Sequence, residues 1–313
     1  MLYLLRRFVL LIVTVIFVSF ITFGVFQILP GDPVLTMLGT EADPAQIENL
    51  RSELGLDLPL YVQYFDWITG LFTGDLGNSI RFSMPVMDLM LDRLPVTLSL
   101  AAITLFIVCA VSLPLGMFAA RRQNKLSDLT LSTATQIGMA IPSFWLGMML
   151  IIYVAMNVDF FRISGYIPWS TSVTGAFSTL LLPAITIAIP QIAINFRYVR
   201  TAILEQIRLD YVRTIRSKGI VERIVMYKHV LKNALIPILT VFGLISAEVM
   251  AGTIIVEQVF SIPGVGQLLV TAINNRDFPL VQGIVMYITI AVVSINFIID
   301  ILYSIIDPRI RIR

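Results

Sequence analysis

The stretch DYVRTIRSKG, residues 210–219, sits in a polar connector between two apolar runs, and its reading decides the organisation of everything around it. Ile203, Ile207, Tyr211 and Ile215 recur every fourth residue, and Ile220, Ile224, Tyr227 and Leu231 repeat with helical spacing. Gly219 falls between the two patterns, where a left-handed residue can end one helix and redirect the chain. The spacing therefore predicts two short amphipathic helices at an angle, with Arg213, Arg216 and Lys218 on the outer face. The residues leave two readings open. One is a basic interfacial helix held by anionic lipid, and the other is a rigid handle on which a protein partner pushes.

Composition says what the connector joins. Hydrophobic residues make up 57% of the 313 and charged residues only 13%, where a soluble domain carries roughly 25% charged residues. Such a chain needs lipid as solvent. Six apolar segments, at residues 8–29, 96–120, 129–156, 180–196, 235–256 and 280–301, approach or exceed the ~20 residues a helix needs to cross a bilayer. The first is too long for the apolar core of a secretory signal, and QILPGDP offers no small-x-small cleavage site, so a retained signal-anchor is expected. The single cysteine, Cys109, lies in an apolar run and reads as a small core hydrophobe.

The basic residues orient the segments. Only Arg51, Arg81, Arg93, Arg162 and Arg276 fall on one side, leaving 17 of the 22 lysines and arginines on the other. Arg6, Arg7, Arg121, Arg122, Lys125, the connector 197–232 and Arg309, Arg311 and Arg313 all mark that second side as cytosolic. Near the ends of the first external segment, Asp32, Glu41, Asp43, Asp88 and Asp92 outweigh Arg81 and Arg93. The expectation is an all-α membrane protein with six transmembrane helices and both termini inside. Its parts would be an N-terminal helix over 1–29, an external segment over 30–94, a five-helix core over 95–306 that includes the cytosolic region 200–232, and a cytosolic tail over 307–313.

The external segment carries its own helical patterns. Pro44, Ile47, Leu50 and Leu54 suit one short helix. Tyr61, Tyr64, Phe65, Trp67, Ile68, Leu71 and Phe72 suit a second helix, either lying at the lipid interface or serving as a docking platform for an external protein. Within the spans, Pro114, Pro142, Pro183, Pro190 and Pro237 leave carbonyls that only protein neighbours or water can satisfy, so these helices pack in protein. Gln136, Asn195 and Asn296 are among the polar residues that permit close helix contact or line a wet path. Glu248 is read as the only carboxylate deep inside a span, either a functional group or one capped across a helix interface.

The connector DYVRTIRSKG, followed by HVLKNALIPILT at 229–240, resembles the EAA loop of the permeases of binding-protein-dependent ABC importers, in their peptide and nickel branch. Aligned on Gly219, Arg213, Thr214 and Ile215 stand at the Glu-Ala-Ala positions and Lys232 where many relatives have proline. These departures look typical of the peptide branch. LPGDP at 29–33, LGLDLPLYVQY at 54–64, GDLGNS at 74–79, VEQVFSIPGVGQLL at 256–269, RDFPLVQG at 276–283 and DPRIR at 307–311 extend the resemblance over nearly the whole chain.

The resemblance implies the fold of a type I importer permease and a place in the bacterial inner membrane. It also implies a second homologous permease, two cytosolic ATPases and an external substrate-binding protein as partners. Asp210, Tyr211, Arg213, Thr214, Ile215, Arg216, Lys218 and Gly219 would form the coupling helix, with Tyr211 and Ile215 giving buried contact to the ATPase. Gln136, Asn195, Glu248 and Asn296 would line the path. ATP and magnesium would bind the partner ATPases, since this chain has no G-x-x-x-x-G-K-[ST]. The single histidine, His229, has no ligand company for a metal, and no serine–histidine–carboxylate set stands out. No nucleic-acid partner is implied. Dipeptides, longer peptides, glutathione-like compounds and nickel chelates are all handled by permeases with these motifs, and peptides are favoured. An ion-coupled secondary transporter is the alternative, although no repeat relates the first and last three spans and Glu248 would be its one coupling residue. A non-transporting scaffold would have little use for proline-broken, polar-dotted spans.

Overall fold

Long apolar runs interrupted only by proline and small polar residues have one stable outcome in lipid, the helix, because it satisfies its own backbone. The computed structural model describes residues 2–28, 33–39, 42–53, 55–162 and 165–306. Among these the only pairing of extended backbone is one isolated bridge between Asn78 and Pro85. The tail 307–313, with DPRIR and Arg309, Arg311 and Arg313, lies outside the described residues, as do 29–32 of LPGDP with Asp32, and Glu41 and Leu54.

The helices in order are α1 (Leu2–Ile28), α2 (Pro33–Leu38), α3 (Pro44–Glu53), α4 (Leu60–Thr73), α5 (Val86–Arg121), α6 (Leu126–Ala140) and α7 (Ser143–Leu150, continued as a wider π-type turn over Ile151–Ala155). Then come α8 (Val173–Ile207), α9 (Asp210–Ser217), α10 (Glu222–Ile224, continued as a π-type turn over Val225–Val230), α11 (Leu231–Val259), α12 (Val265–Asn274) and α13 (Phe278–Ile306). Among the described residues five helices are long and apolar enough to cross a membrane, and α6 with α7, bent by 97°, makes a sixth if the pair counts as one span.

The bend falls within the third apolar segment, 129–156, at Pro142, one of the prolines that the sequence places inside the spans. Pro142 has no N–H to give and pushes the residue before it out of helical geometry, and Ile141 is extended at φ −81°, ψ 119°. Pro183, Pro190 and Pro237 lie within unbroken helices instead. The fourth span is longer than the expected 180–196, because Ser172 caps it by accepting from the Gly175 N–H at 3.1 Å.

The chain divides into two compact units, one built mainly from Leu98–Ile262 and the other from Arg6–Thr97 and Pro263–Ser294. In the second unit α4 packs on α1. The Tyr64 ring meets Phe20 and Phe23 edge-on at 5.9 and 5.5 Å, and its hydroxyl is 2.9 Å from that of Ser19. Tyr61, Phe65 and Phe72 remain exposed, so α4 has one protein face and one lipid-type aromatic face. In the first unit α8 is the central helix, with α6, α7 and α11 against it. Gly116 of α5 also lies against α8. A methyl group there would stand 2.6 Å from Val199 Cγ1, so only glycine lets the two backbones approach this closely.

Candidate functional site

The connector 197–232 departs from the sequence reading at one corner. Ile203 and Ile207 belong to the end of α8, and the chain turns at Arg208 and Leu209 before α9 begins. One continuous helix over 203–215 is therefore not formed. The corner is pinned by the Leu209 N–H on the Gln206 carbonyl at 3.2 Å and by the Tyr211 hydroxyl donating to Gln206 Oε1 at 3.0 Å. At the other end Gly219 adopts φ +74° with open space around it, as the turn between the two patterns requires.

Helix α9 presents two chemically distinct faces. Val212 is fully buried and joins a cluster with Met117, Val199, Ile203, Val225, Met226 and Val230, against which Tyr211 and Ile215 are half-buried. Tyr211 and Ile215 pack partly against the helix's own chain and remain half-exposed on the isolated subunit. The reason is geometric: 211, 212 and 215 lie within one helical face, and that face meets the turn over Val225–Val230. The outward face carries Asp210, Arg213, Thr214, Arg216, Ser217 and Lys218, all exposed. Arg216 forms a bidentate pair with Glu222 at 2.7 and 3.0 Å, which raises its guanidinium above its ordinary range. The same stretch exposes two apolar residues that the sequence reading did not single out, Leu209 and Val221, at 47% and 66%. Both sit immediately before a helix start, a place that helical periodicity does not mark.

The four residues expected along a path have different fates. Gln136, Glu248 and Asn296 are exposed on the isolated subunit. Asn195 is fully buried and donates to the Ser112 hydroxyl at 2.8 Å, tying α8 to α5. Asn195 Oδ1 and Gln191 Oε1, one turn apart beyond Pro190, have no hydrogen-bond partner among the described residues. Glu248 is not the only carboxylate in its helix. Glu257 lies further along α11 and is fully buried. Apolar composition does not reveal it, because the apolar run ends at Val256 whereas the helix continues to Val259. One further pair was not legible: Asp128, at the start of α6, receives the Arg200 guanidinium through Nε at 2.6 Å and Nη2 at 2.7 Å. No group of three or more metal-ligating side chains occurs among the described residues.

Residues 112–312 match the family described as binding-protein-dependent transport system inner membrane component, and residues 1–101 match its N-terminal companion. The chain belongs to this family. It is a multi-pass permease subunit of an ATP-driven importer of the bacterial inner membrane, and the hydrolysis of ATP belongs to separate ATPase subunits. This membership displaces the ion-coupled alternative. The permease is 39% identical to a putative peptide transport system permease of Brucella abortus (strain 2308), covering 98% of both chains. It is 36% identical to the oligopeptide transport system permease protein AppB of Bacillus subtilis (99% of both). It is 34% identical to the dipeptide transport system permease protein DppB of Escherichia coli K12 (99% of this chain, 98% of that one). Among solved structures, the inward-facing MetNI methionine ABC transporter matches with a TM-score of 0.57 and 17% identity, over 71% of this chain and 97% of that one. The likeness is one of fold, that of a type I importer permease.

Proposed function

We propose that this permease imports peptides or similar small solutes, forming one half of a translocation path whose other half is a second homologous permease. Two cytosolic ATPases would drive it, and an external binding protein would deliver the solute. The names of the relatives, which refer to peptide, oligopeptide and dipeptide transport, support the substrate class. The observation that carries the coupling role is the construction of α9: an inner face locked into the permease core by Val212, and an outer face of Arg213, Thr214 and Lys218.

A helix held that way transmits force. ATP binding would draw the two ATPases together, and a groove on each would carry α9 with it. Because Val212, Val199 and Ile203 share one cluster, the motion would pass to α8 as a rigid-body swing and switch the path between inward- and outward-open states. The driving free energy is the differential affinity of the ATPases for nucleotide in the two states. Arg213, Arg216 and Lys218 would supply charge and hydrogen bonds to the ATPase, with Leu209 and Val221 as desolvated contacts. Gln136, Glu248 and Asn296 are exposed and would meet the path, whereas Asn195 would act by holding α5 to α8.

The test is reconstitution of the permease pair, ATPases and binding protein in liposomes, with uptake of radiolabelled dialanine measured alongside ATP hydrolysis. ATP-dependent uptake that requires the binding protein supports the reading. Hydrolysis with no uptake of any di- or oligopeptide, but uptake of a nickel chelate, would replace the substrate class and leave the architecture.

A further inference from the structure

The end of α8 that shares a cluster with α9 also carries an ion pair whose carboxylate is buried. Asp128 is 1% exposed and takes both Nε and Nη2 of Arg200, while the Asn124 N–H donates to the same carboxylate at 2.9 Å. The carboxylate thus fixes three things together: the turn 122–125, where Asn124 has φ +62°, the first turn of α6, and the cytosolic end of α8.

Arg200 lies between Val199 and Ile203, the two α8 residues that share a cluster with Val212 of α9. Further along the same contact, Gly138 near the end of α6 sits against Ala193 and Ile189 of α8. Helix α6 is therefore applied to α8 along its length, and beyond it comes the 97° break at Ile141 and Pro142.

We propose that Asp128 and Arg200 are positioning residues of the transport cycle, which make α6 and the coupling helix α9 move as one body and deliver the stroke to the break in the third span. The choice of residues supports this. A part-buried ion pair such as this one, with Asp128 buried and Arg200 partly exposed, holds two helices together no better than matched apolar side chains do. A bidentate fork in one plane fixes their relative orientation, which apolar packing does not. The stroke enters at α9, crosses the Tyr211–Gln206 corner into α8, and passes through Arg200 to α6.

The inference rests on the reading that α9 receives the ATPase stroke, and the experiment separates the two. Spin labels are placed on the exposed positions Thr133 of α6 and Ser217 of α9 in a Cys109→Ser background. The assembled complex in nanodiscs is measured without nucleotide and with ATP plus vanadate. The expected result is one unchanged label-to-label distance in the parent complex. In Asp128→Asn and Arg200→Lys the distance changes with nucleotide, and dialanine uptake per ATP hydrolysed falls roughly tenfold. Arg200→Lys keeps the charge and loses the fork, so it carries the comparison if Asp128→Asn assembles poorly.

A nucleotide-dependent distance in the parent complex overturns the proposal, and so does a distance that stays fixed in both variants. If ATP changes the distance between the Ser217 label and one beside the ATPase groove that is to hold α9, the ATPase moves without the helix and the coupling reading of α9 is what fails.

Discussion

Ser79 and Asp277 lie 198 positions apart and are joined by a hydrogen bond in which the serine hydroxyl donates to the carboxylate. Asp277 is fully buried and also accepts from the Ile80 and Arg81 N–H groups, each at 3.1 Å, while heading the first turn of α13. Two motifs that look unrelated in the sequence, GDLGNS and RDFPLVQG, are thus the two sides of one clamp.

Replacing Asp277 with alanine strands buried donors on the 79–81 turn, at a cost of about 3 kcal/mol. Thermal unfolding of the detergent-purified subunit checks this. A midpoint unchanged from the parent would mean that the clamp is not a stabilising element. Asp277→Asn retains an acceptor oxygen and is expected to fall between the two.

Gly116 permits the close approach of α5 to α8 at Val199. Leucine at 116 forces the helices apart and costs about 3 kcal/mol through overpacking. Reduced yield of folded subunit in size-exclusion chromatography is expected for Gly116→Leu, with Gly116→Ala milder. No comparable loss is expected at Gly24, where a Cβ would meet nothing within 4 Å.

The two faces of α9 predict opposite phenotypes at adjacent residues. Val212→Asp buries a charge without a partner and destabilises the subunit itself, on the order of 4 kcal/mol. Arg213→Glu, on the exposed face, changes stability by no more than about 0.5 kcal/mol but weakens ATPase association. Unfolding midpoints and co-purified ATPase, measured on both variants, distinguish the faces. Equal effects on both readouts would contradict the assignment.

Gly219 stands at φ +74°, and a Cβ added there would meet nothing within 4 Å, so any substitution acts through backbone strain alone. Gly219→Asn is expected to be tolerated, because asparagine enters the left-handed region readily. Gly219→Val is expected to lower uptake per ATP hydrolysed, since a β-branched residue resists that geometry. Uptake and hydrolysis measured together decide it, and wild-type coupling in the valine variant would count against a rigid turn.

Much of this was legible in the residues, for identifiable reasons. Span positions follow from apolar length, which Arg121 and the basic connector bracket clearly. The Gly219 turn was readable because only one residue in 210–232 is a glycine, and it falls between two periodic patterns. The corner at Arg208 and Leu209 was not, because the fourfold repeat of apolar residues runs across it without a break. Pro142 marks a disturbance, but proline is compatible with a continuous helix at 183, 190 and 237, so its identity alone does not tell a kink from a break. Asp128 and Arg200 are 72 positions apart, and each reads as an ordinary charge at the inner end of a span. Pairing at that distance is set by how α6 and α8 pack. Glu257 escapes because apolar composition marks where a helix meets lipid, not where the helix ends.

That α9 is the contact through which separate ATPases drive this permease is tested most directly by site-directed crosslinking. Cysteines are placed at Thr214 and Ser217 of α9, in the Cys109→Ser background, within the complex in its native membrane. A crosslink from these positions to a Walker-motif ATPase, altered in yield when ATP is bound, is the predicted result. No ATPase adduct from either position, with adducts forming instead from cysteines at Arg122 or Lys125, would contradict it.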